Sequence, residues 1–383
     1  MIHLDLPSSL SPRLSQGHPW VYRNHVSDAP PIQSGAWVQV RSGSFKAYGL
    51  WDDRSAIAVR LFSRQGVPDS EWLADRVREA WEARAPVRRG KTTAYRWVYG
   101  EGDGLPGIVV DLYGEYAVVQ TFVSSVEGLV PSLADALHAH TRLEGIVWRP
   151  AGQEPRSLWG RLPPPEHTVE ENGLLFRADL LSGQKTGLYF DHRENRHTLS
   201  AWCQGETVLD CFCYTGAFSV YAARAGAAAV TACDVAAPAV DAARSNFSLN
   251  GLDLDSHSLV VRDCFQLLSQ LAGENRRFGI VILDPPSLAR DKKSRPAALR
   301  AYVRLNRLAL QCVAPGGLLA SASCTSQVSP KVFREALAEA ARQAGRRLLI
   351  LHEAGHACDH PVPSHFPEGR YLKFVVSRSL PQA

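Results

Sequence analysis

A cysteine and an aspartate, each placed where an apolar run gives out, are the side chains of this sequence best placed to do chemistry. Cys324 closes the run from Gly317 through Leu318, Leu319 and Ala320 to Ser323, which leaves a Pro-Gly-Gly turn and reads as a buried parallel strand. Asp284 ends a second apolar run, residues 279–283, and is followed by Pro285, Pro286 and Ser287. Two prolines hold the chain extended there and aim the carboxylate into a cleft. An ionised thiol is a nucleophile, and a carboxylate beside it can hold a polar substrate edge. In open α/β sheets ligands bind beyond the carboxyl ends of the strands, which is where both residues stand.

Three more acids occupy similar positions: Asp210 ends residues 207–210, Asp234 follows 229–233, and Asp263 follows 258–261. The loop Cys211-Phe212-Cys213-Tyr214-Thr215-Gly216 turns the first of these strands into a helix, and Asp234 lies 24 residues after Asp210. A tight turn at a helix start with an acid on the next strand is how such a sheet holds a nucleoside, the acid accepting from ribose hydroxyls. A pyrophosphate needs a glycine-lined backbone, and this loop carries only Gly216. NAD is therefore disfavoured, and S-adenosylmethionine, which has no phosphate, fits better. Tyr214, Thr215 and Gly216 are expected to line it, with Asp210, Asp234 and Asp284 around it and Asp263 accepting from the adenine amino group. Each acid alone reads equally well as a strand-end turn residue. Their recurrence at successive strand ends is what argues for a site.

The elements that must position these residues follow a regular rhythm. Strands at 207–210, 229–233, 258–261, 279–283, 318–323, 347–351 and 371–377 alternate with helices at 218–225, 240–249, 265–271, 296–313 and 331–343. That alternation specifies a doubly wound, mostly parallel seven-stranded sheet of Rossmann-like type. Residues 1–68 carry short β runs at 37–40, 47–51 and 56–62 between Gly, Ser and Asp turns, which spells a small β-barrel. Its segment 13–24, with Arg13, His18, Trp20 and Arg23, mixes cations and aromatics as nucleic-acid surfaces do. On composition alone, core aromatics with solvated charges around them are the plainer reading. Residues 69–182 alternate helices and strands as a small α+β domain. Their loop 100–107 has four glycines but precedes a strand, so it is a poor phosphate cradle. Segment 183–196, dense in polar, charged and aromatic residues, reads as a lid or entry wall to the third domain, 183–383.

A chain of 383 residues is too long for one ordinary core, and 45% hydrophobic with 21% charged residues excludes a disordered or fibrous protein. With 42 basic against 38 acidic residues, the net charge of +4 permits a nucleic-acid partner without demanding one. The eight cysteines lack the paired spacings of a zinc site, which points to a reducing compartment. With no signal-like start and no membrane-length apolar run, a cytoplasmic protein is expected. His352, His356, Cys358, His360 and His365 match no closed zinc geometry and are read as structural, with no metal expected.

The chain resembles, near full length, the PUA-domain-containing, S-adenosylmethionine-dependent cytosine-C5 methyltransferases of large-subunit ribosomal RNA. The resemblance rests on Gly17-His18-Pro19-Trp20, Gly102-Asp103-Gly104-Leu105-Pro106-Gly107, Gly183-Gln184-Lys185-Thr186-Gly187 and Asp191-His192-Arg193. It rests further on Tyr214-Thr215-Gly216-Ala217-Phe218, Asp284-Pro285-Pro286-Ser287, Ser323-Cys324 and the run Glu368-Gly369-Arg370-Tyr371-Leu372-Lys373. Ala217 stands where the family more often has glycine, and Ser-Ala-Ser-Cys where Cys-Ser-Cys is commoner. The resemblance implies a class I methyltransferase domain behind a PUA-like RNA-binding barrel, with 23S ribosomal RNA, naked or in a subunit particle, as partner and a homodimer as a possible state. It implies that Cys324 attacks C6 of a cytosine while Asp284 holds the N3/N4 edge. It also suggests that Gln184 and Thr186 reach the cofactor and that Lys185, Arg193 and Arg196 join Arg13, His18, Trp20 and Arg23 in binding RNA. No second thiol follows Asp284, so the sequence names no base for the C5 proton. The alternatives are an enzyme of this fold acting at an exocyclic amine or guanine N7, and an RNA-binding protein with a vestigial pocket.

Overall fold

The computed structural model describes residues 1–26, 29–183, 187–289, 291 and 293–382. They form two compact units, and the chain passes between them more than once. One comprises Met1–Glu170, Ala178–Phe190 and Cys358–Gly369; the other comprises Glu171–Arg177, Asp191–Ala357 and Arg370–Ala383.

The first unit holds two five-stranded sheets. One runs in the order Ile2–Asp5, Trp37–Ser42, Phe45–Trp51, Ile57–Ser63, Trp20–Tyr22, with a parallel pair only between the first two. Alternating residues such as Val38, Val40, Ala47, Val59 and Leu61 bury its inner face. The other sheet is built from Ala94–Tyr99, Ile108–Tyr113, Tyr116–Thr121, Gly145–Arg149 and Arg156–Gly160. Helices Ser70–Ala83 and Val130–His140 supply Leu73, Val77, Leu133 and Leu137 to the same core as Trp97, Val110 and Val119. Asp69 starts the first of these helices by accepting from Trp72 N at 2.9 Å.

The second unit carries the seven-stranded sheet. Its strands are β1 (Thr207–Cys211), β2 (Ala229–Asp234), β3 (His257–Val261), β4 (Phe278–Leu283), β5 (Val313–Ser323), β6 (Arg346–Ala354) and β7 (Lys373–Pro381). They lie in the order β3-β2-β1-β4-β5-β7-β6, parallel up to β5, with β7 antiparallel to both of its neighbours. The helices are α1 (Arg193–Ser200), α2 (Ala217–Arg224), α3 (Ala237–Leu249), α4 (Cys264–Gly273), α5 (Arg295–Cys312) and α6 (Pro330–Gln343). Central strands covered on both faces read as continuous apolar runs, and Ile280, Val281, Ile282 and Leu283 of β4 are all wholly buried.

Strand β5 begins five residues earlier than the expected 318, running through the Pro-Gly-Gly turn. Gly317 permits this: a Cβ there would lie 2.6 Å from the Gly279 carbonyl oxygen, so only glycine allows the two strands to close up. No helix among the described residues is long and apolar enough to cross a membrane.

Candidate active site

The order of the sheet brings the carboxyl ends of β1, β4 and β5 side by side, and these ends carry Asp210, Asp284 and the residues that lead to Cys324. Cys324 is half-buried, and its Sγ lies 3.9 Å from the carbonyl oxygen of Pro285. The two segments are also tied behind the thiol. Thr325 Oγ1 accepts from Leu288 N at 3.1 Å and shares a 2.8 Å hydrogen bond with the hydroxyl of Tyr302 on α5. The Asp-Pro-Pro-Ser loop and the thiol are thus held in one register. In the core, burial pushes Cys203 up to about 12 and Cys312 up to about 11, so both stay neutral.

Asp284 faces His192, whose Nε2 lies 3.4 Å from its Oδ1. His192 Nδ1 lies 3.0 Å from the amide nitrogen of Asn195, and that amide also donates to Gly355 O at 3.1 Å. An amide N–H can only donate, so Nδ1 is the acceptor and the ring proton is assigned to Nε2, on the side of Asp284. Beneath, the His192 ring packs edge-on against Phe218 at 5.4 Å and Phe374 at 5.7 Å. Nothing local in the sequence marks His192 as part of this group beyond its place in the Asp191-His192-Arg193 motif.

The loop between β1 and α2 is strained. Phe212 and Tyr214 have φ of 65° and 48°, and Gly216 has φ of 73°. A Cβ at Gly216 would come within 2.8 Å of Ala243 Cβ, so conformation and space both require glycine. Two left-handed non-glycine residues in three positions are costly, and such strain collects where a loop must present its backbone to a ligand. Asp234 steadies the loop: its Oδ2 accepts from Tyr214 N and its Oδ1 from Ala236 N, each at 3.0 Å. Asn246 donates to Thr215 O at 2.8 Å.

Two polar atoms behind this loop are buried without hydrogen-bond partners among the described residues, Asp210 Oδ1 and Thr215 Oγ1. Asp210 is 1% exposed, and its other oxygen accepts from the Ser219 hydroxyl at 2.6 Å. Burial, abetted by the nearby carboxylates of Asp284 and Asp234, pushes it up to about 7. Orphaned polar atoms beside a strained strand-to-helix loop suit a ligand rich in donors and positive charge, and S-adenosylmethionine carries an ammonium, hydroxyls and a sulfonium. Asp263 caps α4, accepting from Gln266 N at 2.9 Å.

The residues expected to bind RNA fare unevenly. Arg196 is 2% exposed, and its Nε and Nη2 reach Glu171 Oε1 at 3.0 and 2.8 Å, with Nη2 also 2.7 Å from Oε2. A guanidinium closed on an internal carboxylate has no face left for phosphate, so Arg196 is a structural residue. Arg193 on the same helix is equally buried and meets Glu194 at 3.1 Å. In the first unit His18 is 2% exposed, lying 2.5 Å from Arg13 Nη2 and edge-on to Phe366. Burial and the Arg13 charge lower its proton affinity, so it is a neutral core histidine and no phosphate contact. Gly17 before it has φ of 104° and would meet His365 Nε2 at 2.8 Å if it carried a Cβ. The Gly-His-Pro-Trp signature is thereby explained as packing. Trp20 donates to Glu101 at 2.9 Å and meets Phe366 at 4.6 Å, and Arg23 donates to Ser55 O at 2.9 Å and covers the Trp51 ring. Arg13 keeps an exposed guanidinium, paired to Glu368 at 2.6 Å. Gln184, Lys185 and Thr186 lie outside the described residues. Of the histidine cluster, His356 Nε2 accepts from Leu372 N at 3.1 Å and His360 Nδ1 lies 2.9 Å from Asp359.

The strand order, the strained first loop and the acids at the strand ends define a Rossmann-like methyltransferase domain. Residues 149–357 match the S-adenosylmethionine-dependent methyltransferase family and residues 6–64 the PUA-like domain, so the chain belongs to the S-adenosylmethionine-dependent methyltransferases, with a PUA-like domain at its N-terminal end. It is 36% identical to ribosomal RNA large subunit methyltransferase I of Shewanella denitrificans, over 98% of this chain and 99% of that one. The enzyme of the same name from Aeromonas salmonicida is 34% identical over 96% of both chains. A methyltransferase crystallised with S-adenosylhomocysteine is 25% identical and superposes with a TM-score of 0.88, covering 99% of this chain and 100% of that one.

Proposed function

We propose that this chain forms 5-methylcytidine in 23S ribosomal RNA, in the cytoplasm, through a covalent bond between Cys324 and C6 of the target cytosine. The ribosomal substrate is supported by relatives of matching length named ribosomal RNA large subunit methyltransferase I. The observation that carries the chemistry is the approach of Cys324 Sγ to within 3.9 Å of the backbone that follows Asp284, which puts a nucleophile and a carboxylate on one rim.

C5 of cytosine is a poor nucleophile in the aromatic ring. Addition of the Cys324 thiolate to C6 breaks the C5–C6 double bond and pushes its electron pair toward C5 and the C4–N3 edge. Asp284 holds the N3/N4 edge by accepting from the N4 amine, with His192 Nε2 3.4 Å from its Oδ1. Bound S-adenosylmethionine supplies an electrophilic methyl group. After C5 has been alkylated its proton leaves, the double bond re-forms and the thiolate is expelled, so Cys324 is regenerated. The cytosine must be extruded from any stack to enter such a pocket. Asp234 is assigned to the ribose hydroxyls, Thr215 and Asp210 to the polar methionine portion, and the free side of the Asp263 carboxylate to the adenine amine.

Mass-spectrometric mapping of ribosomal 5-methylcytidine in cells with and without the gene tests the product. Loss of one 5-methylcytidine on deletion, restored by the wild-type gene and not by Cys324→Ala, is the expected result. An unchanged 5-methylcytidine pattern with loss of a different methylated nucleotide would replace this reading by the same fold acting at another base atom.

A further inference from the structure

Lys373 belongs to the Glu-Gly-Arg-Tyr-Leu-Lys motif and has no part in the chemistry above. It opens β7 directly opposite Ser323, the last residue of β5, so it stands across the sheet from the point where Cys324 emerges. It is 4% exposed. Its Nζ donates to Thr325 O and to Tyr371 O, each at 2.7 Å, and Thr325 is the residue next to the thiol. Two neutral carbonyls do not compensate a buried ammonium, and an anion close by would. Cys324 is that anion when ionised, because its charge favours the charged form of Lys373. Burial lowers Lys373 to about 8, still above neutrality, so the ammonium persists at physiological pH.

The other groups facing the thiol act differently. Asp284, from the end of β4, is a carboxylate and opposes ionisation of a neighbouring thiol. Tyr302, from α5, is raised chiefly by burial and stays neutral, its hydroxyl bonded to Thr325 Oγ1. His192, just before α1, has its Nε2 3.4 Å from Asp284 Oδ1.

From this geometry we propose that Lys373 is a positioning residue that holds Cys324 in its thiolate form, ready to add to C6. The proposal rests on the covalent reading given above. A single proton leaves Sγ for solvent while Nζ keeps its own, giving a thiolate beside an ammonium, and no oxidant or cofactor is involved. Electrostatic attraction is reciprocal, so what the thiolate does for the ammonium the ammonium does for the thiolate.

The test is the pH dependence of iodoacetamide alkylation at Cys324, followed by peptide mass mapping so that exposed Cys358 does not interfere. Lys373→Gln keeps a donor for the two carbonyls and removes the charge, whereas Lys373→Arg keeps the charge. Expected are a wild-type midpoint below the roughly 8.5 of an ordinary thiol, a rise of about one pH unit in Lys373→Gln, and a rate at pH 7 about tenfold lower. Lys373→Arg should stay within about threefold of wild type. A Lys373→Gln protein that binds S-adenosylmethionine in calorimetry and keeps the wild-type midpoint overturns the proposal. A wild-type midpoint at or above about 8.5 does so without any variant. Full methylation by Cys324→Ala would instead sink the covalent reading, and would leave the alkylation midpoints to decide the ion pair by themselves.

Discussion

Two buried acids of the second unit, Glu171 and Asp210, are both essentially inaccessible to solvent and have opposite fates. Glu171 is completed by the fold: Arg196 closes on both of its oxygens, the Tyr221 hydroxyl donates to Oε1 at 3.1 Å, and the guanidinium lies over the rings of Phe218 and Tyr221. Asp210 receives one hydroxyl, from Ser219, and its second oxygen is buried with no hydrogen-bond partner among the described residues. Its neighbours are carboxylates, where those of Glu171 are donors. A buried ion that the chain completes is architecture. We propose that the one left incomplete beside a strained loop is held for a ligand.

That contrast can be broken most severely at Glu171. Glu171→Ala leaves the Arg196 guanidinium buried and uncompensated, and should cost about 3–5 kcal/mol in denaturant unfolding. A loss below about 1 kcal/mol would mean that the pair is not the closed unit described here.

Asp210→Asn should act in the other direction. Asp210 binds its proton more tightly in the folded chain, up to about 7 against an ordinary 3.8, so the folded state carries more protons between those values. Stability of the cofactor-free enzyme should therefore fall as pH rises from about 4 to 7, with a slope approaching 1.4 kcal/mol per pH unit. Asp210→Asn should flatten that slope, melt higher than wild type at pH 8, and bind S-adenosylmethionine more weakly. A variant with the wild-type slope would show that Asp210 is not the group responsible.

Ser219→Ala sharpens the same point with a smaller effect. It removes the hydroxyl that donates to Asp210, should cost about 1 kcal/mol at pH 8, and should cost less at pH 5, where the acid is protonated. The smallest effect is expected at Arg13, whose pair with Glu368 is largely exposed. Arg13→Ala should change stability by less than about 1 kcal/mol, so that any loss of RNA affinity in a salt titration reports contact with RNA and not unfolding.

The architecture of the sheet was legible because parallel strands buried on both faces leave continuous apolar runs, and each of β1 to β7 overlaps a run read from the sequence. The strand-end rule likewise singled out Asp210, Asp284 and Cys324, and the structure puts them at the ends of neighbouring strands. Residues whose role depends on distant partners were not legible. His192 faces an aspartate 92 positions away and Lys373 a thiol 49 positions away, and neither leaves a local pattern. Arg196 misled for the same reason, since a cation on a short polar helix looks solvated until Glu171 is brought beneath it. Asp263 did carry a local signal: Asp-x-x-Gln before an apolar stretch is a helix-start signature, and the acid caps α4 as that pattern dictates. The segment 13–24 shows that cations and aromatics in alternation also suit a packed seam, with His18 and Trp20 set against Phe366.

The central claim is the covalent role of Cys324, and one measurement addresses it directly. A target RNA carrying 5-fluorocytidine cannot lose its C5 substituent as a proton, so a covalent enzyme is trapped after methyl transfer. Incubated with S-adenosylmethionine and this RNA, the wild-type protein should yield a denaturation-resistant adduct whose mass maps to the peptide containing Cys324. Cys324→Ala should form none while still binding cofactor. An adduct-free wild-type enzyme that methylates the ordinary RNA, or a Cys324→Ala variant that does so at the wild-type rate, would contradict the account.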